Sequence, residues 1–452
     1  MTAIDAALAA GLDTKAVIIG QEVLARTGQV FTDLFTGQRA VMVADANTWG
    51  VAGPAVAVAL SQAGVDCDQP IVYPGQPTLF ADGRQVDELT ARLAAGDAIA
   101  VSIASGSLND VTKLSSFRLG RSYLNVCTAA SVDGYTSFGA AIVVDGVKGT
   151  QPCSAPRGVI VPLDVMAAAP ARLTATGYGD LIEKIPAGAD WMVADALGIE
   201  PIDPAVWDLV QTPLGDALAD PMGLAAGRIE AVAGLANGLI LSGLAMQVAG
   251  SSRPASGAGH YFSHQWEMEG YGLAWDPPLS HGFKVGLGTL AMAALYQRVL
   301  AFDLSQFDVA ARLATWPTPA QDADRVRRCQ PNPVILSGAL EQSGAKYLPV
   351  AEAEARLRRL TAVWPALRAR LAGQLWGPQR VEDRLRQVGA IHHPAQIGLS
   401  RDQLRQKYYQ AQTIRTRYTV LDLLQETGLL GQVVESLFAP GGYWYERGPT
   451  PD

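Results

Sequence analysis

The segment Ala98–Ala104 (AIAVSIA) is almost unbroken apolar sequence and stops abruptly at Ser105-Gly106-Ser107. A strand with no polar alternation must be covered on both faces, as in a parallel sheet flanked by helices. Its surroundings repeat the pattern. Ala40–Ala44 (AVMVA) is a second such run, ended by Asp45, and Val51–Ala63 follows it with helical spacing. Leu108–Leu119 reads as a helix after the first run, and Tyr123–Cys127 as a third strand. Strands alternating with helices predict an α/β domain on a parallel sheet. Ala140–Val144, Asp145-Gly146 and Val147 add a hairpin signal, because Asp-Gly suits a tight turn.

Beyond Pro162 the period changes. Leu235–Ala249, Gly282–Leu300, Ala351–Leu371 and Arg401–Thr427 all carry helical spacing, punctuated by Asp276-Pro277-Pro278 and Gln330-Pro331-Asn332-Pro333. The expected organisation is an α/β domain over residues 1–162 and an all-α domain over 163–452. A chain of 452 residues exceeds one ordinary core, which agrees with two domains. The most apolar stretch, 231–249, is broken by Gly234, Asn237, Gly238, Ser242, Gly243 and Gln247 and reads as a core helix rather than a membrane span. Gly448–Asp452 reads as a loose tail.

Charge and cysteine usage remove several function classes. There are 35 Lys and Arg against 43 Asp and Glu, a net charge of −8, without the basic face a nucleic-acid partner requires. Cys67, Cys127, Cys153 and Cys329 show no CxxC spacing, so neither a zinc ribbon nor a disulfide framework is expected. The N-terminus, with Asp5 and no basic start, does not read as a signal peptide. A cytoplasmic setting is the expectation.

Two constellations carry chemistry. Ser105-Gly106-Ser107, between a strand and a helix and followed by Asn109, Asp110 and Lys113, has the small residues that let backbone N–H groups approach a pyrophosphate at a helix N-terminus. It is neither GxGxxG nor a P-loop, and Ser107 as a simple helix cap is the competing reading. Asp45 at a strand end suits the ribose hydroxyls of NAD, with a helix cap as the alternative. The second constellation is histidine-based. His260, His264 and His281 are three of only five histidines. His260 and His264, spaced i,i+4, share a face if helical. Two imidazoles and one carboxylate would make an open catalytic metal site. Tyr261 after His260 excludes HExxH, and His392-His393 reads as structural or surface. Asp180 has a competing reading as a helix N-cap with Glu183 as its capping-box partner, and Asp133 as a turn residue before Gly134.

Five segments in order resemble the sn-glycerol-1-phosphate dehydrogenases of the iron-containing alcohol dehydrogenase and dehydroquinate synthase-like superfamily: SGSLNDVTK (105–113), TAASVDGYTS (128–137), ATGYGDLIEKIPAGADW (175–191), SSRPASGAGHYFSHQWE (251–267) and LSHGFKVGLGT (279–289). TIRTRYTVLDLLQETGLL (413–430) is similar to the C-terminal end of the bacterial members. The resemblance implies a dehydroquinate synthase-like fold with a dinucleotide-binding domain over 1–162, a helical metal- and substrate-binding domain over 163–452 and an active site in the cleft between them. It implies one divalent metal, zinc first with iron or nickel as alternatives, on Asp180, His260 and His281. It places NAD or NADP on Asp45, Ser105, Gly106, Ser107, Asp110, Thr128, Ser131 and Ser137. Asp133, Lys184 and His264 become the catalytic candidates, and a phosphorylated triose or polyol the substrate, with homo-oligomerisation left open. Arg253 and Lys148 are the candidates for phosphate. Two departures stand out: Gly259 where the family carries Glu or Asp before the first ligand histidine, and Ala104-Ser105-Gly106-Ser107 where it carries a glycine-rich loop. A sibling dehydrogenase acting on an unphosphorylated polyol or another phosphorylated ketone is the alternative. A dehydroquinate synthase-type cyclase is a weaker one, because the stretch 225–290 offers few of the Lys, Arg and His it would need.

Overall fold

The computed structural model describes residues 2–144 and 147–447, with only the backbone of Val147 and Lys148. The turn Asp145-Gly146 and the tail 448–452 lie outside the described residues. The described residues form eight strands: β1 Ala16–Gly20, β2 Ala40–Asp45, β3 Ile71–Tyr73, β4 Ile99–Ala104, β5 Leu124–Cys127, β6 Ala140–Val144, β7 Val147–Gln151 and β8 Gly158–Pro162. Six of them form one sheet in the order β1-β8-β5-β4-β2-β3, and β6 pairs with β7 as a separate antiparallel hairpin. Every pairing in the large sheet is parallel. All six residues of β4 are buried, as the unbroken apolar run requires.

The strands β1, β3 and β8 join the three read from the sequence. β3 has only three residues, β1 ends in glycine, and β8 runs from glycine to proline, so none carries a clear strand signal. They complete the sheet and set the position of its ligand crevice. From β2 the chain crosses to β3 on one side, and from β4 to β5 on the other. The carboxyl ends of β2 and β4 therefore flank the point where the strand order reverses, which is where open parallel sheets bind ligands.

β8 ends at Pro162 and the helix Leu163–Ala167 follows directly, which is the basis for proposing a domain boundary there. The helix Ala3–Leu8 belongs with the far side of that cut. Ala7 and Leu12 share one buried core with the C-terminal helices, and the Thr14 hydroxyl accepts from Gln247 Nε2 at 2.9 Å. Gln247 lies on the apolar helix Ile229–Ala249, of which 67% of the most apolar window is buried inside the fold. That helix is a core element.

One long helical pattern does not survive. Arg401–Thr427 is two helices, Arg401–Ala411 and Val420–Thr427, separated by a non-helical stretch over 412–419. Thr413, Ile414, Thr416 and Thr419 are β-branched and weaken helix continuity, and the Asp422 carboxylate accepts from the Thr419 N–H at 2.8 Å to start the second helix. Arg415, in this break, lines the cleft. His392-His393 is structural, as expected: His393 Nδ1 accepts from the Ala395 N–H and caps a short turn.

Three helices carry the histidines and carboxylates of interest: Ala171–Ile182, Ala258–Met268 and His281–Val299. They approach one another through small residues. A methyl group on Gly282 would fall 2.0 Å from the carbonyl oxygen of Thr176, so the first and third helices touch backbone to backbone. This contact lies one turn from Asp180 and one residue from His281.

Candidate metal centre

Asp180 is fully buried near the end of its helix, and the following helix, Lys184–Ala196, continues almost without a break through Glu183. Its reading as an N-cap is therefore wrong. His260 sits in the first turn of its helix, and His281 opens its own helix behind Ser280, whose hydroxyl caps Phe283 N–H. One ligand atom from each of Asp180, His260 and His281 lies within 4.8 Å of the other two. His260 Nε2 is 3.4 Å from Asp180 Oδ1.

Both imidazoles are oriented from behind. His281 Nδ1 is 2.8 Å from Glu267 Oε1. His260 Nδ1 is 2.9 Å from Glu183 Oε2, an ion-pair contact between two buried atoms that lack an aligned hydrogen bond among the described residues. A carboxylate on Nδ1 fixes the tautomer and leaves Nε2 to face a metal. The donor set, two neutral imidazoles and one carboxylate, suits a divalent cation with an open position. The departure at Gly259 finds its explanation here. A methyl group at Gly259 would meet Glu183 Cγ at 2.8 Å, so the missing side chain makes room for the carboxylate that anchors His260. Glu183 Oε1 also accepts from Gly257 N–H at 3.1 Å and pins the start of the helix.

Lys184 is enclosed behind this group. Its ammonium is 2.9 Å from Asp133 Oδ2 and 3.1 Å from Asp180 Oδ1, and it donates to the Asp180 carbonyl at 2.9 Å. Asp133 also accepts from the Ser242 hydroxyl at 2.9 Å, while its N–H donates to Asp180 Oδ2. Burial opposes ionisation of Asp180, but Lys184 and the two histidines outweigh it and hold the carboxyl well below its usual range. Burial likewise opposes the Lys184 charge, and Asp133 and Asp180 overcome it. For His260, burial pulls downward, yet Glu183 and then Asp180 push its pKa up to about 9. His264 goes the other way: burial and the neighbouring Arg415 hold it neutral.

The His260 shift has a measurable consequence. Its metal-free pKa lies above the ordinary 6.5, so the bound proton stabilises the metal-free fold fully below pH 6.5 and that contribution fades as pH rises through about 9. A metal must displace this proton. Apparent metal affinity is expected to rise by about tenfold per pH unit below that value and to level off above it. Chelator-competition titrations between pH 6.5 and 9.5 read this directly, and a flat profile would contradict it.

The centre opens into a cleft with two connected halves that share Asp110, Val132, Glu267 and His281. The first half, about 1110 Å³, is walled by Ser105, Gly106, Ser107, Asp110 and Ser131 from the sheet side and by Thr176, Ser280 and Lys284 from the helices. The second, about 1210 Å³, is walled by Asp133, Ser137, His260, His264 and Arg415. Ser137, expected on the cofactor side, thus lies in the other half. Asp45 and Thr128 stand at the carboxyl ends of β2 and β5, outside both walls. Asp45 does cap its helix, accepting from Asn47 and Thr48 N–H, and both bonds end on Oδ1. Ser105, not Ser107, is the N-cap of the helix Gly106–Arg118. Lys113 is structural: its buried ammonium donates to the carbonyls of Gly134, Ser137 and Gly139 and shapes the loop after Asp133.

Arg253 does not reach the cleft. It is 1% exposed and donates to the carbonyls of Tyr418 and Asp190, so its proposed contact with phosphate is withdrawn. The side chain of Lys148 lies outside the described residues. Glu183, Glu267, Lys284 and Arg415 were missed. Glu267 was detectable, since it lies two helical turns from His260 on the same face; Arg415 gave no spacing signal.

Residues 18–170 match the family model described as iron-containing alcohol dehydrogenase. A glycerol-1-phosphate dehydrogenase [NAD(P)+] of Halalkalibacterium halodurans is 38% identical over 257 residues, covering 57% of this chain and 64% of that protein. The enzyme of the same description from Geobacillus thermodenitrificans is 30% identical over 319 residues, covering 69% of this chain and 79% of that protein. Among solved structures, a probable glycerol dehydrogenase from Sinorhizobium meliloti superposes with a TM-score of 0.57 at 17% identity, over 94% of this chain and 98% of that one. That likeness establishes the fold, and with the sequence relatives it leads to one assignment: this chain belongs to the glycerol-1-phosphate dehydrogenase family, within the iron-containing alcohol dehydrogenases.

Proposed function

We propose that this chain is an NAD(P)-linked dehydrogenase that interconverts dihydroxyacetone phosphate and sn-glycerol 1-phosphate. The observation that carries the reading is the triad Asp180, His260 and His281, whose ligand atoms lie within 4.8 Å of one another while a carboxylate stands beside Nδ1 of each imidazole. A divalent cation bound there supplies Lewis acidity to the substrate carbonyl, and zinc suits the two-imidazole, one-carboxylate set best. A nicotinamide cofactor would supply the hydride, and the half-cleft around Ser105-Gly106-Ser107, at the start of a helix, would hold its pyrophosphate. The Asp45 carboxylate, whose cap bonds use one oxygen only, favours NAD through the ribose hydroxyls.

The remaining roles follow from position. Asp133 Oδ2 is committed to Lys184 and Ser242, and the residue borders the substrate half of the cleft, where its carboxylate orients a substrate hydroxyl. Lys184 has no exposed side-chain surface, so it acts by holding Asp133 and Asp180 rather than by touching substrate. His264, kept neutral and lying 6.0 Å ring to ring from His260 and 6.1 Å from His281, is placed to pass a proton at the substrate oxygen.

Purified protein loaded separately with zinc, iron and nickel should oxidise NADH or NADPH with dihydroxyacetone phosphate, and faster than with dihydroxyacetone. Metal-dependent turnover with neither ketone would overturn the proposal. Equal rates with both would favour the sibling polyol dehydrogenase.

A further inference from the structure

We propose that Arg415 is the anion-binding residue of the substrate half-cleft and receives the phosphate of a short phosphorylated ketone whose carbonyl lies at Asp180, His260 and His281. The inference rests on the proposed function and adds the group that would select phosphorylated over unphosphorylated substrates.

Three arginines descend on this part of the molecule, and two of them are committed elsewhere. Arg253 donates to the Tyr418 and Asp190 carbonyls, and Arg417 to the Ser256 carbonyl and the Ser252 hydroxyl. Both brace the loop that forms the cleft wall. Arg415 instead borders the cleft, and its one recorded hydrogen bond runs from Nη2 to His264 Nδ1 at 3.3 Å. Burial and the neighbouring Arg417 work against its charge, while Tyr261 and Glu267 favour it. The side chain is half-buried, and a guanidinium carries five N–H donors in a planar fork, so it can grip a ligand in the cleft beside its bond to His264.

The spacing fits a small bifunctional ligand. Arg415 touches the far side of His264, whose ring neighbours both ligand histidines. The guanidinium, the His264 ring and the two ligand histidines thus line one half-cleft. Ser251, Ser252 and Ser256 line the same wall and offer hydroxyls for the remaining oxygens. A planar guanidinium can take two phosphate oxygens at once, which a point charge cannot.

The test compares parent holoenzyme with Arg415→Gln and Arg415→Lys. The glutamine variant should lower the ratio of kcat/KM for dihydroxyacetone phosphate to that for dihydroxyacetone by about 10²-fold, mainly through KM, in line with a lost charged hydrogen bond pair. Lysine should recover part of the ratio. Calorimetric titration with inorganic phosphate should show binding to the parent and its loss in the glutamine variant. If both ketones lose rate in parallel and phosphate still binds, Arg415 only supports His264 and the proposal fails. A parent that turns over neither ketone overturns the proposed function alone, because phosphate titration still decides for or against Arg415.

Discussion

Replacing His281 by alanine should strip the protein of its metal and lower kcat/KM by about 10³-fold or more, roughly 4 kcal/mol of transition-state stabilisation. His281 is one of two imidazoles in the triad, and its side chain is 25% exposed at the mouth of the cleft. The helix it opens is capped by Ser280, not by the imidazole, so the fold should tolerate the change. The loss is therefore chemical rather than structural. Metal content after dialysis, steady-state rates and NADH fluorescence separate the roles: metal and turnover should vanish while NADH still binds. Retention of a full metal equivalent with turnover within about tenfold of the parent would remove His281 from the ligand set.

The second large effect is expected at Lys184. Changing it to methionine keeps the volume and removes the charge that faces Asp133 and Asp180. Two carboxylates would then remain buried without their cation, a situation that typically costs about 3–5 kcal/mol. The metal-free variant should unfold at much lower urea than the metal-free parent. Added divalent metal should recover more stability in the variant, because the cation then supplies part of the missing positive charge beside Asp180. Equal urea midpoints for the two metal-free proteins would show that Lys184 does not hold the carboxylates in place.

Much of the fold was legible in the chain because its signals are local. The apolar run into Ser105 requires a covered parallel strand whatever the partners are, and β4 is buried at every position. The i,i+4 spacing of His260 and His264 places them on one helix face, as found. The misreadings came from local rules overruled by packing. Asp180 and Glu183 satisfy a capping-box spacing, but the helix runs on through both residues because the Lys184 ammonium and two neighbouring helices enclose them. Arg253 looked like a solvated or phosphate-facing charge, yet carbonyls from Tyr418 and Asp190 converge on it from 165 and 63 residues away.

The sequence by itself determined the elements, the change of period near residue 163 and, through ordered motifs, which aspartate and histidines to watch. Each rests on neighbours within a few turns of the chain. Only the tertiary structure decided which carboxylates stand behind those histidines, that the missing side chain at Gly259 leaves room for Glu183, and that Arg415 rather than Arg253 borders the cleft. These depend on side chains far apart in sequence meeting at distances of a few ångströms. No spacing rule reports such meetings, because close packing of helices, not chain proximity, creates them.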